Sequence, residues 1–295
     1  MQKLLNSKIF IILVLIVLFL IGFSFIRGIV YERKTNYQQV ISAISRDHVQ
    51  SQTVLMPFIV VPIKTSEVCS NKTNNLCEYQ QQIVVLPKSG TWQNKTIVDN
   101  QSYKRGIYRA ISYQNKINLQ GRFELPTELL TPKSNQQINW SEANIRFYLS
   151  DMRGLKNQPV LRYQQQKLSF SFPKQEGFNP LAMSYSQLLL PDLVKTPQFD
   201  FSFEVDMTGT SSIQMLPLGQ DLAISLQANW PDASFFGESL PTKQLNKKDF
   251  KADWQNTFLN NRNGQTLSSC FLSTQESCQQ LQRVFIQINQ IKTCI

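Results

Sequence analysis

Few side chains in this sequence are able to do chemistry. Five cysteines are present, and four fall into two pairs with one spacing, C-x7-C: Cys69 with Cys77, and Cys270 with Cys278. Between Cys69 and Cys77 lies SNKTNNL, a run of turn formers. Apolar runs flank it, Val54 to Ile63 before and Ile83 to Leu86 after. That pattern reads as a hairpin whose rim is closed by a Cys69–Cys77 disulfide, which implies an oxidising compartment. A zinc site wants four ligands at C-x2-4-C spacing, and no histidine stands nearby to help. The surroundings of Cys270 and Cys278 are irregular, so a second disulfide and a pair of reduced thiols stand as alternatives. Cys294 is left over, which in an exported protein reads as a free thiol. No metal and no cofactor is expected.

His48 is the only histidine, and it falls on a stretch with helical spacing, where a solvated surface residue is the expectation. The rest of the chain therefore has no histidine for a Ser-His-Asp or Cys-His centre or for a metal site. G-x-S-x-G, GxGxxG and the P-loop are absent. Carboxylates remain. Asp249 and Asp253 stand four apart, so one helical face could carry both, but Lys247, Lys248 and Lys251 surround them. A solvated, salt-bridged face is expected there rather than an acid/base pair. Asn71, Asn94 and Asn139 head Asn-x-Ser/Thr sequons, which matter only if the source glycosylates. No catalytic residue is assigned.

The elements that would position these residues begin with the apolar run Ile9 to Ile26, eighteen uncharged residues between Lys8 and Arg27. At about 1.5 Å per residue such a run just spans a bilayer core of roughly 30 Å. Its length, and the poor small-x-small match at Gly22 and Ser24, favour a retained anchor over a cleaved signal. Lys3 and Lys8 before the run and Arg27, Arg33 and Lys34 after it leave the orientation undecided. Residues 27–53 keep helical spacing through Val30, Tyr37, Val40, Ile41 and Ile44, which predicts a helical stalk.

The chain carries a net charge of +10, and eight of those charges belong to the part after the run. The basic residues are scattered, with no run of four or more. Solubility and nearness to an anionic bilayer are expected, and nucleic acid is not. Short QQQ tracts at 80–82 and 164–166 read as polar strand edges.

From Val54 the period changes to that of strands. VLMPFIVVPI, IVVLP (83–87), residues 103–125, INWSEANIRFYLSD (138–151), VLRYQQQKLSFSF (160–172), FDFSFEVDM (199–207), SSIQMLP (211–217) and DLAISLQANW (221–230) are the expected strands. SYSQLLLPDL (184–193) and residues 246–261 are expected to be helical or irregular. Trp230, Phe235, Phe236, Phe250, Trp254 and Phe258 cluster late and are expected to pack against the sheet. The fold class is mainly β: an N-terminal transmembrane helix with a stalk, then a β-sandwich-like or bent antiparallel domain over 54–267. Residues 1–8 precede the span, and 268–295 form an irregular tail, weakly packed because it has few large apolar positions before Val284.

These local patterns add up to a resemblance. VLMPFIVVPI (54–63), RGIYRAISYQNKINLQGRFELP (105–126), SDMRGL (150–155), QANWPDASFFGESLPTKQ (227–244) and FKADWQNTFLNN (250–261) resemble the CreD family of inner-membrane proteins in order and spacing. None of these blocks is an active-site signature. The resemblance implies a periplasmic β domain on the bacterial inner membrane, the regulon of the CreBC two-component system, and links to envelope integrity and β-lactam response. It implies no biochemical activity. The expected partners are the lipid bilayer and an envelope protein whose identity the sequence does not give. Two departures stand out. The family reads W-P-H-P-S-F where this chain has Trp230-Pro231-Asp232-Ala233-Ser234-Phe235, and the family continues into several further membrane helices. A truncated, nonfunctional product and a periplasmic carboxylate enzyme acting on cell-wall material are the alternative expectations.

Overall fold

The computed structural model describes residues 2–68, 76–163, 166–172, 184–190, 192–231, 233–236, 241–245, 248–256, 266–268 and 291–294. Cys69, Cys270, Cys278 and Phe258 lie outside the described residues. The chain opens with helix α1, Gln2–Asp47. Its apolar stretch is exposed all round, as a helix must be when lipid rather than protein is its solvent.

The strands follow in order: β1 Gln52–Val68, β2 Leu76–Val85, β3 Ser89–Arg105, β4 Tyr108–Glu124, β5 Gln136–Ile138, β6 Asn144–Leu149, β7 Val160–Tyr163 and β8 Gln166–Ser169. Then come β9 Ser184–Leu189, β10 Gln198–Thr210, β11 Ser212–Leu216, β12 Asp221–Ala228, β13 Ser234–Phe236, β14 Thr242–Leu245, β15 Phe250–Asn256, β16 Thr266–Ser268 and β17 Ile291–Cys294. They form two sheets. One runs β14-β15-β12-β3-β4-β10-β7-β8, and the other is built around β1. The sheets face each other across a common core, as the contact of Phe147 on β6 with Phe203 on β10 shows, with ring centroids 4.9 Å apart. The expected mainly β, sandwich-like class is what the chain adopts.

β1 organises its sheet. Val54 pairs at once with Met215 of β11 and Leu149 of β6, and Ile59 pairs with Val85 of β2 and Ile145 of β6. One edge of β1 is thus shared by β11 and β2, and the other by β6 and β5. The two prolines sit where the ladder breaks. Pro57 falls in the register shift between Leu55 and Phe58. Pro62 stands where β6 hands over to β5, and its carbonyl accepts Asn139 N at 2.9 Å.

In the facing sheet the period of two is strict. Phe199, Phe201, Phe203, Val205 and Met207 of β10 point to the core, and Asp200, Glu204 and Asp206 do not.

Several expectations are corrected. Residues 103–125 are not one strand but the end of β3, a turn at Gly106 and the start of β4. Residues 184–189 and 250–256, expected to be helical or irregular, are strands paired with β6 and with β12 and β14. In β15 the alternate residues Phe250, Ala252 and Trp254 are buried, a period-two pattern that the four-residue spacing of Asp249 and Asp253 fits as well as a helix would. The helix ends at Asp47, so Gln52 opens a strand rather than closing the stalk. Within the expected irregular tail, Ile291–Cys294 is a strand between β11 and β13, because β11 offers an open edge there.

Candidate functional site

Where α1 meets the sandwich, polar side chains converge from five segments. Gln52 is the centre and is 1% exposed. Its Nε2 donates to Asp151 O at 3.0 Å and Thr208 O at 3.1 Å. Its Oε1 accepts from Ser150 Oγ at 3.1 Å and Asp151 N at 3.3 Å. Both amide donors and both acceptor positions are filled by protein. Gln52 N donates to the Tyr113 hydroxyl, which donates to Ser212 O at 2.8 Å. Burial pushes the Tyr113 phenol far above its ordinary range, so it stays neutral and serves only as a hydrogen-bond bridge.

The same cluster grips the end of the helix. Thr210 Oγ1 bonds Val49 O at 2.8 Å and Ser45 Oγ at 3.0 Å. Asp151 accepts from Arg153 Nη2 at 2.7 Å and from Gln50 N at 3.3 Å. Arg153 Nη1 in turn donates to Arg46 O at 3.1 Å, placing a cation on the last turn of α1, where the exposed carbonyls favour one. The guanidinium of Arg153 holds the Asp151 carboxyl below its ordinary range. On the flank Asp47 pairs with Arg105 at 2.8 Å, the His48 ring stacks on Tyr103 at 3.8 Å, and Tyr37 meets Tyr108 at 5.9 Å. The stalk is therefore docked along the β3–β4 hairpin over its last three turns, with Ile44 buried.

A second feature lies at the far end of the same sheet. An open cleft of 810 Å³ is lined by Ser89, Gln120, Arg122, Arg162, Asp200 and Asp221, among others. Arg122 Nε and Nη2 bond Asp200 at 2.7 and 3.2 Å and hold its carboxyl below the ordinary range. An ionised carboxylate so paired accepts hydrogen bonds but has no proton to donate at neutral pH. The cleft sets amides, hydroxyls and the Arg122–Asp200 pair around a surface that Phe201, Leu222 and Ala223 also line.

Of the residues singled out from the sequence, His48 flanks the collar, and Cys77, Cys294, Asp253 and Asn94 assemble with neither feature. Cys77 lies on β2, in register with Glu67, and Cys294 lies on β17 opposite Ser212 and Ser234. Asp253 pairs with Lys251 at 3.1 Å on the outer face of β15, the salt-bridged arrangement expected, though on a strand. Among the described residues no group of three His, Cys, Asp or Glu is placed to hold a metal ion. Asn94 is 3% exposed, and its Oδ1 accepts from Trp92 Nε1 at 3.0 Å, so its sequon is closed to modification in the folded domain. Phe235 packs on Phe250 and Trp254, with centroids 5.3 and 5.7 Å away, as the late aromatic cluster led one to expect. Gln52, Thr208 and Thr210 carried no signal of their own. The signal available was in the blocks: SDMRGL supplies Ser150, Asp151 and Arg153, and RGIYRAISY ends on Tyr113.

The Escherichia coli (strain K12) protein described as "Inner membrane protein CreD" is 22% identical over 259 residues, covering 86% of this chain and 56% of that protein. This chain thus spans little more than half the length of that relative. Solved structures match weakly. An M1 zinc metallopeptidase from Deinococcus radiodurans aligns with 6% identity and a TM-score of 0.28, over 71% of this chain and 42% of that one. A mutant form of that enzyme aligns with 8% identity and a TM-score of 0.29 over the same shares. Likenesses at that level carry nothing about activity. The family described as "Inner membrane protein CreD" matches residues 4–294, which takes in the membrane helix, the collar around Gln52 and both sheets, and the chain belongs to that family.

Proposed function

We propose that the chain is a non-enzymatic component of the bacterial envelope, holding a β-sandwich at a set height and angle on the periplasmic face of the inner membrane. The observation that carries this reading is the collar. A tether needs only a flexible linker, whereas here β4, residues 150–153 and β10 together satisfy one buried glutamine and cap the end of the helix. Such a joint makes the position of the domain relative to the bilayer part of its design, and the distal cleft is then presented away from the membrane to an envelope partner. Family resemblance points to the CreBC regulon, envelope integrity and β-lactam response as the setting. A disulfide between Cys69 and Cys77 fits a periplasmic domain.

The experiment is complementation of a deletion strain under β-lactam or envelope stress, with membrane abundance checked for each variant. The wild-type chain should restore tolerance, and so should Asp200→Asn and Asp221→Asn. A flexible Gly-Ser insertion between Val49 and Gln50 should not. Loss of function in the carboxamide variants, with the insertion tolerated, would overturn the proposal in favour of carboxylate chemistry in the cleft.

A further inference from the structure

The β3–β4 hairpin ends in Lys104-Arg105-Gly106-Ile107-Tyr108-Arg109. Gly106 adopts φ +63°, a left-handed conformation that lets the chain reverse tightly. The turn leaves Ile107 85% exposed, above the large apolar side chains of α1, of which Tyr31 reaches 74%. An isoleucine at the tip of a soluble hairpin gains nothing from water. Around it Lys104, Arg105 and Arg109 are exposed, and Arg105 reaches Asp47 on the helix. An apolar point ringed by cations is the pattern that suits an anionic lipid surface, with the apolar group entering the interface and the cations meeting phosphates.

Position supports the chemistry. The hairpin runs beside α1, and Tyr108 meets Tyr37 with centroids 5.9 Å apart. Tyr37 stands eleven residues beyond Ile26, which is about 16 Å along the helix. The headgroup layer occupies roughly 5–8 Å of that on each side of the hydrocarbon. The tip then lies within about one Debye length of the phosphates, some 10 Å at 0.1 M salt. A helix tilt of about 20°, ordinary for a spanning helix, brings it closer. Ile29, Val30 and Tyr31 are exposed on the helix past Arg27, so the interfacial zone itself climbs toward the hairpin.

We infer that the tip of the β3–β4 hairpin is a second membrane contact, which seats Ile107 among anionic lipid headgroups of the bilayer that α1 spans. The helix fixes where the protein is, and the hairpin fixes how it leans. The contact needs only the anchor helix and is the same on either side of the membrane, so it stands or falls apart from the periplasmic reading.

The test uses the full chain in nanodiscs, with a fluorescent amino acid replacing Ile107 and headgroup-labelled nitroxide lipid as quencher. A second sample carries the fluorophore at Thr91, beside the distal cleft. In discs containing phosphatidylglycerol, position 107 should be quenched and position 91 should not. Lys104→Glu with Arg109→Glu should abolish the quenching at 107, as should discs of phosphatidylcholine alone. Equal quenching at the two positions, or quenching at 107 that survives both charge reversal and neutral lipid, would overturn the inference. All substitutions lie on exposed residues, and an unchanged melting temperature checks that the fold is kept.

Discussion

An unfolded chain satisfies the amide of Gln52 with water; the native junction satisfies it with Asp151, Thr208 and Ser150. Each such exchange nets only about 1 kcal/mol, but leaving one of these buried partners unmade costs about 1–3 kcal/mol. That asymmetry makes the collar a switch between complete and broken rather than a graded contact. Asp151 adds a charge to it. Its folded pKa is depressed by Arg153 first, so its contribution is present above the ordinary carboxylate value and is lost as pH falls through the depressed one. Asp151→Asn should therefore melt below wild type at pH 7, and the gap should close below about pH 4. Thermal melts of the two proteins across that range check it; a gap that is constant with pH would mean that the carboxylate charge is not what matters.

Among the elements, β15 shows how a local pattern can admit two readings. Lys251 and Trp254 would share a helical face, three residues apart, but as a strand β15 buries Trp254 and turns Lys251 outward to Asp253. Trp254→Ala should accordingly cost about 3–5 kcal/mol. Lys251→Glu should change stability by no more than about 0.5 kcal/mol. Denaturant unfolding of both variants measures this, and comparable losses would contradict the strand. The prolines of β1 follow the same logic: each removes a donor, and each falls where the ladder had no partner to lose. The continuation of α1 beyond the apolar run has no lipid to lie in, and its last three turns find the β3–β4 hairpin instead.

Among the described residues, one helix long and apolar enough to cross a membrane is joined without slack to a two-sheet domain. The open cleft lies at one end of the sheet that holds β3 and β4, and the cationic, Ile-tipped hairpin at the other. The flanking charges do not choose the side of the membrane, so the periplasmic placement is tested directly. Alkaline phosphatase fused after Asn261 should be active in cells. An inactive phosphatase together with an active cytoplasmic reporter at the same site would reverse the orientation and remove the case for a Cys69–Cys77 bond, though not for the collar.

The membrane helix and the β class were legible in the sequence because both are written in short-range periodicity. Eighteen uncharged residues between two cations are long enough to span a bilayer, and the alternation in β10 and β12 names its own buried face. Residues 250–256 and 184–189 are strands where the sequence suggests helical or irregular chain, because charges and leucines at mixed spacing suit more than one period until a partner strand selects one. The collar was beyond any local reading. Gln52, Tyr113, Asp151 and Thr208 are separated by up to 156 positions, and an isolated glutamine before an apolar strand looks like solvent-facing polarity. Only the packing of β1 between β6 and β11, with α1 laid along the β3–β4 hairpin, removes water from that glutamine and makes its four bonds matter.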